Sequence, residues 1–379
     1  MGEEVPLIRQ ASNPLTYLSS RSKTMFNPRV LTSKLFMSIC LIAFTFPILF
    51  WHRATLKELS VPYHRPMTRP TPQFVADGNS QCLPPTTPKM IEEAVHKHAT
   101  CRKFSPFTTG RARIATVTAH FGSPSEHYRK AFQTHLLHSL IHGTEVRVMC
   151  DKIVDDLWNK PAFILNLLMR ETLKPDKERL EWIMWVDRDT VILDQCRPIS
   201  SFLPPKRSSV GSWWRRDDRE DRNVTDVNLL VTNDFNGLNN GIFLLRVNEW
   251  AISLFTAILA FRHYRPDVDL PFTEQSAMEH AIRTDQFKHQ TQFVPQHWFN
   301  SYDHDGAQAF ATRDGSQESN DEWVRRGDYL VHFAGHSDKG RAIDEYTEML
   351  EELPDVWETG TVQWDVSGDV GDFWKALGY

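Results

Sequence analysis

The chain is poor in cysteine and has no excess of positive charge. Five cysteines in 379 residues exclude a disulfide-dense mini-domain. Its 43 basic side chains are outnumbered by 48 acidic ones, for a net charge of −5. That gives no support to a nucleic-acid binder, which would show a basic face or stripe. No stretch reads GxxxxGK[ST], so no P-loop nucleotide site is expected. No internal period is visible, which removes solenoids and propellers. What is present is ordinary for a globular chain, with 41% hydrophobic and 24% charged residues. Twelve Trp and 23 Phe suffice for a large core, or for a core plus a sugar-facing cleft. The length predicts two to three domain-sized units of about 100–200 residues each.

The N-terminal part points to a membrane. Residues 1–34 are polar and carry Arg9, Arg21, Lys23, Arg29 and Lys34. Residues 35–51 then run for 17 positions without a charge, at the short end for a spanning helix. No small-residue cleavage site follows. The segment therefore reads as an uncleaved signal anchor with a cytoplasmic tail at 1–34, a bias that the basic Arg53 and Lys57 on its far side weaken. A short span suits the thinner membranes of the early secretory pathway. Residues 52–110 are proline-rich and read as a stem. Beyond the anchor lie Cys82, Cys101, Cys150 and Cys196, and a lumenal compartment would let them oxidise. Three pairings are open, of which Cys82–Cys101 is the favoured pair. Asn223-Val224-Thr225 is a glycosylation sequon.

From residue 111 the pattern becomes regular. Arg113–Phe121, Glu145–Cys150 and Leu180–Val186 read as strands, and Glu126–His142 and Lys160–Leu173 as helices between them. This β-α-β-α-β order predicts an α/β fold with a parallel, helix-covered sheet. Ligands in such sheets bind beyond the carboxyl ends of the strands. Asp187-Arg188-Asp189 follows the apolar run Leu180–Val186 at that end. Two carboxylates there suit a hard divalent cation, which could bridge the diphosphate of a nucleotide sugar. Downstream, Asn236–Gly241 reads as a tight polar loop with Asn239 able to hydrogen-bond a sugar. Trp250–Phe261 reads as a core helix, and Phe272–Ile282 as a helix with Thr273 as its cap. His332 is the polar side chain of the strand Tyr329–Gly335; it is a core residue or a third metal ligand, with His336 as a rival. Lys339 is placed to meet phosphate charge.

In order along the chain, these stations resemble glycosyltransferase family 34, which holds fungal galactosyl- and mannosyltransferases and plant xyloglucan xylosyltransferases. The matching residues are Trp158–Pro161, Glu181–Asp189, Asn236–Arg246 with Trp250, Glu274-Gln275, Val294–Gln296 with Asn300–Tyr302, and Val331–Gly335. The resemblance covers roughly residues 112–350. It implies a GT-A-type, Rossmann-like mixed sheet with helices on both faces, and Mn²⁺ held by Asp187, Asp189 and His332. It further implies a type II Golgi membrane protein that transfers with retention of the anomeric configuration. Glu274 and Gln275 become the catalytic pair, with Gln275 near the reacting carbon; Lys160, Asp187, Asp189, Asn239 and Lys339 would bind the nucleotide sugar. Two departures stand out. Arg188 lies between the aspartates, and His336-Ser337-Asp338-Lys339 replaces the Cys-Lys common after this glycine.

The domain reading is a tail at 1–34, an anchor at 35–51, a stem at 52–110, a catalytic domain at 111–353 and a tail of unknown role at 354–379. The expected function is metal-dependent transfer of galactose or mannose, from UDP-galactose or GDP-mannose, onto a glycan acceptor. The alternatives are a non-catalytic subunit of a glycosyltransferase complex and a glycoside hydrolase. A hydrolase needs two carboxylates flanking a sugar at about 5–10 Å, which adjacent aspartates do not offer. The intact Asp187, Asp189 and His332 argue against the non-catalytic subunit.

Overall fold

The computed structural model describes residues 72–78, 81–107, 112–122, 125–205, 226–313 and 323–379. In chain order the first elements are β1 (Phe74–Asp77), α1 (Pro88–Phe104), β2 (Ile114–Ala119), α2 (Glu126–His142), β3 (Glu145–Met149) and α3 (Asn159–Thr172). Then come β4 (Trp182–Val186), β5 (Thr190–Ile192), β6 (Leu229–Asp234), β7 (Gly237–Arg246), α4 (Glu249–Tyr264) and α5 (Glu274–Ile282). The remainder are β8 (Thr291–Phe293), β9 (Ser301–Tyr302), α6 (Gly306–Thr312), β10 (Leu330–His332), α7 (Lys339–Glu352), α8 (Val356–Thr359) and α9 (Ser367–Ala376). The anchor at 35–51 and the sequon Asn223-Val224-Thr225 lie outside the described residues. Among the described residues no helix is long and apolar enough to cross a membrane.

The main sheet has strand order β1-β3-β2-β4-β7-β6-β8. The β1, β3, β2 and β4 strands run parallel, which the alternating pattern predicts for β2, β3 and β4. β7 then pairs antiparallel with β4, which makes the sheet mixed. A second sheet has order β5-β10-β9. β4 is buried at every position because both its faces are covered. Ile183 and Trp185 face α3, α4 and α5. Trp182, Met184 and Val186 face Phe202, Trp298, Tyr329 and Trp374 instead. The alternation is the two-residue period of a strand. α2 ends at Gly143, whose φ of +70° supplies the left-handed cap.

Three expectations are corrected here. Segments assigned to the stem belong to the folded unit: β1 pairs with β3, and α1 packs on α2. Pro88 at the start of α1, with Thr87 accepting the Met90 N–H at 3.2 Å, is a helix start rather than a linker feature. The tail at 354–379 also folds back, burying Trp374 and donating its Nε1–H to the Phe202 carbonyl at 3.2 Å. The disulfides are Cys82–Cys150 and Cys101–Cys196, not Cys82–Cys101. Cys82 lies ahead of α1 and Cys101 in its last turn, so the helix holds them apart and each meets a different neighbour.

These bridges close loops with sequence separations of 68 and 95, so each restricts the unfolded chain strongly. The double replacement Cys101→Ser/Cys196→Ser is expected to cost roughly 2–4 kcal/mol. A urea midpoint unchanged from wild type would contradict this.

Asp328 gives a second expected result. It is buried, and burial pushes its carboxyl up to about 6, against the opposing pull of the Arg325 guanidinium. Unfolded, it would titrate at about 3.9. The folded chain therefore holds the proton longer, and stability falls as pH rises between those values. Asp328→Asn removes the ionisation. Its melting temperature should gain on wild type from pH 4 to pH 7, by the equivalent of about 3 kcal/mol at most. A gap independent of pH would contradict the assignment.

Candidate active site

β4 ends at Val186, and the chain turns through Asp187-Arg188-Asp189 into β5. The second sheet sets what surrounds that turn. His332 on β10 pairs with Thr190 on β5 and with Tyr302 on β9. The Phe333 N–H closes the corner by donating to the Asp189 carbonyl at 3.0 Å. Thus a residue over a hundred positions away is pressed against the aspartates by strand register. One ligand atom each from Asp187, Asp189 and His332 lies within 4.8 Å of the others. His332 is buried, with Nδ1 2.8 Å from Asn300 Oδ1 and Nε2 3.6 Å from Asp189 Oδ1. The rival His336 lies elsewhere, its Nε2 3.6 Å from Asp303.

Two lysines flank the group. Lys160 sits in the first turn of α3, which the Asn159 side chain prepares: it accepts from the Ile153 and Val154 N–H groups and donates back to two carbonyls. Lys160 Nζ lies 3.2 Å from Asp187 and 3.3 Å from Glu274, and donates to Asn240 Oδ1 at 3.0 Å. Burial works against its charge, yet the carboxylates of Asp187 and Glu274 outweigh burial and hold its ammonium above the usual lysine range. Glu274 is pushed up by burial, against the pull of Lys160. Lys339, at the start of α7, pairs with Asp189 Oδ2. Burial would push Asp189 up, but His332 and Lys339 hold it well below the usual carboxylate range. Asp187 stays one-third exposed and accepts the Trp185 indole N–H at 2.8 Å.

Asp187, Asp189, Glu274 and the two lysines line a cleft of about 540 Å³ with Phe121, Tyr128, Asn240, Phe272 and Gln275. Gln275 Oε1 accepts the Asn240 backbone N–H at 3.1 Å. Arg188 stacks over Tyr128 at 4.2 Å from the ring centroid, which accounts for its bulk between the aspartates. A larger cavity of about 980 Å³ lies beside Leu180–Trp182 and Arg246, at the opposite strand ends, and contains none of the expected site residues.

Two expectations are corrected. Asn236–Gly241 is not a loop: the turn is at Phe235-Asn236, and Gly237 already begins β7. Asn239 is therefore buried in the strand, and its amide is fully engaged with Asp234, Tyr302, Asn300 and Gly241. Its neighbour Asn240 faces the cleft instead. Thr273 precedes α5 but makes no side-chain cap; it sits at φ +53°, a rare conformation for a β-branched residue. Such strain costs on the order of 1–3 kcal/mol, and here it is held in the cleft wall. Asn240 and the Trp185 bond to Asp187 escaped the sequence reading. Strand alternation at β7 is the signal that would have found Asn240.

A model of the galactosyl transferase GMA12/MNN10 family matches residues 126–342, more than half of the chain. Three Schizosaccharomyces pombe (strain 972) proteins are similar. One, named an uncharacterized alpha-1,2-galactosyltransferase, is 25% identical over 198 residues, 47% of this chain and 46% of its own length. Another of that name is 24% identical over 234 residues, covering 58% and 65%. An alpha-1,2-galactosyltransferase is 26% identical over 191 residues, covering 44% of each. The chain thus spans between 44% and 65% of the length of these relatives. A crystal structure of a glycosyltransferase involved in glycosylation of the major capsid of PBCV-1 aligns with a TM-score of 0.41. It is 14% identical and covers 64% of this chain and 100% of that one.

Proposed function

Because this chain belongs to the galactosyl transferase GMA12/MNN10 family, we propose that it is a metal-dependent, retaining α-hexosyltransferase of GT-A architecture. It moves galactose from a nucleotide sugar, UDP-galactose, onto a glycan acceptor. The observation that carries the reading is the Asp187–Asp189–His332 group at the carboxyl end of β4, with a lysine on each side. Galactose is preferred to mannose because the similar S. pombe proteins bear galactosyltransferase names. The charge-free run at 35–51 supports a type II membrane protein, and the family resemblance supports the Golgi.

The residues present fit a divalent cation. Two carboxylates and an imidazole form a mixed oxygen–nitrogen set suited to a borderline ion such as Mn²⁺, and His332 has Nδ1 engaged elsewhere, leaving Nε2 toward the aspartates. Asp187, Asp189 and His332 would hold the ion, which when bound supplies positive charge to the departing diphosphate.

The chain's own groups do the rest. Lys339 lies close enough to Asp189 to share its charge with a donor phosphate. Lys160, seated by Glu274 and Asn240, adds a fixed cation beside Asp187. Preorganised charge of this kind stabilises a developing anion without reorganisation at the moment of reaction. Gln275, fixed through its Oε1, is left with its amide NH₂ for the cleft, at the place we assign to the reacting carbon. Phe121, Tyr128 and Phe272 wall the cleft and exclude water from the sugar. The test is incubation of the full-length protein with UDP-galactose or GDP-mannose and Mn²⁺. Release of UDP from the first is expected; release from neither donor, in a protein that binds Mn²⁺, would contradict the proposal.

A further inference from the structure

The hydrogen bonds leading to His332 can run in one direction only. Asp234, at the end of β6, accepts from Asn239 Nδ2 at 3.0 Å and from the Tyr302 hydroxyl at 2.7 Å. An ionised carboxylate has nothing to donate. On the other side of the Asn239 amide, the Gly241 backbone N–H donates to Oδ1 at 3.0 Å, and a main-chain N–H can only donate. These two anchors permit one orientation of the Asn239 amide. Its Oδ1 must then accept from Asn300 Nδ2, 3.1 Å away. The second Nδ2 hydrogen of Asn300 meets Thr232 Oγ1 at 2.7 Å. The atom that Asn300 turns to His332 is therefore the acceptor Oδ1, 2.8 Å from Nδ1. Asn239, Asn300 and His332 are all buried, so water does not reshuffle the order. Gly241 keeps the ring's place open, since a Cβ there would lie 2.4 Å from His332 Cε1.

We propose that Asn300 is a positioning residue that holds a proton on Nδ1 of His332, so that Nε2 is the nitrogen turned to the cation site shared with Asp187 and Asp189. The cation half of this statement rests on the reading above; the proton half does not. The outer partner of a ligating histidine commonly sets its tautomer, and losing that partner weakens metal affinity about 10–100-fold. Here the outer partner is an amide, and its own orientation is set by a carboxylate two residues further along the chain of bonds.

The experiment begins with metal-free, full-length protein labelled with ¹⁵N-histidine. Long-range ¹H–¹⁵N correlation, with His332→Gln for assignment, should show His332 protonated at Nδ1. A wild-type ring without a proton at Nδ1 overturns the proposal, with no variant needed. Asn300→Leu, near in size and without an acceptor, should lose the single tautomer and bind Mn²⁺ alone about 10–100-fold more weakly by calorimetry. Asn300→Asp retains an acceptor at Oδ1 and should keep the Nδ1–H form. If Asn300 is merely structural, Asn300→Leu lowers the melting temperature and leaves both tautomer and Mn²⁺ affinity unchanged, which overturns the proposal. If Asn300→Leu does not fold, the wild-type and Asn300→Asp spectra decide by the same criterion. An Nδ1–H ring in a wild-type protein that binds no Mn²⁺ overturns the cation half and the metal reading with it.

Discussion

Replacing Asp187 by Asn is expected to lower transfer by roughly 10²–10³-fold, the usual range for removing one preorganised electrostatic contact at a reacting centre. The fold should survive, because Asp187 is one-third exposed and its carboxylate supports no strand. The Trp185 indole N–H still finds the amide oxygen. Asp189→Asn should cost as much in rate and more in stability, since Asp189 is buried and paired with Lys339. Its depressed folded-state value means that this stability is present above about pH 4 and is lost as pH falls. The measurements are initial rates across a Mn²⁺ titration and urea midpoints. Both variants retaining wild-type rates at limiting Mn²⁺ would contradict the assignment.

The second large effect is expected at Lys160. Lys160→Met removes the cation lying 3.2 Å from Asp187 and 3.3 Å from Glu274. The buried Glu274 carboxylate is then left without its cation, beside the partly exposed Asp187. Breaking a buried ion pair from one side costs on the order of 3–5 kcal/mol. Glu274 already lies above the usual range through burial, against the pull of Lys160. Without that pull it rises further and takes up a proton. An acid with a raised folded-state value destabilises as pH rises, so the deficit should be smaller at pH 4.5 than at pH 7.5. Lys160→Met/Glu274→Gln should recover much of the stability but not the rate. A deficit independent of pH and unaltered by the second change would contradict the pairing.

The residues show why some of this was readable in the sequence. The strand before Asp187 was legible because an apolar run covered on both faces is long, regular and ends abruptly in charge. α2 was legible to its boundaries because Gly143 marks its end with a conformation glycine favours. His332 remained open between core and ligand, since only the β5-β10-β9 register brings it to the aspartates. Asn239 was misassigned because adjacent asparagines differ only in which face of a strand they occupy, and a loop reading discards that difference. The cysteine pairing was not legible at all: connectivity depends on where α1 docks, and the proline content around it suggested a linker. Thr273 has a cap residue's chemistry but a backbone conformation set by the cleft wall.

Asp187, Asp189 and His332 are proposed together to hold one divalent cation at the end of β4. The direct measurement is an anomalous difference map from crystals of the protein soaked with Mn²⁺ and UDP. One strong peak is expected, bonded by both carboxylates and by Nε2 of His332, with the UDP diphosphate on its open side. A well-ordered UDP with no peak at these residues, or a peak bonded elsewhere in the cleft, would contradict it.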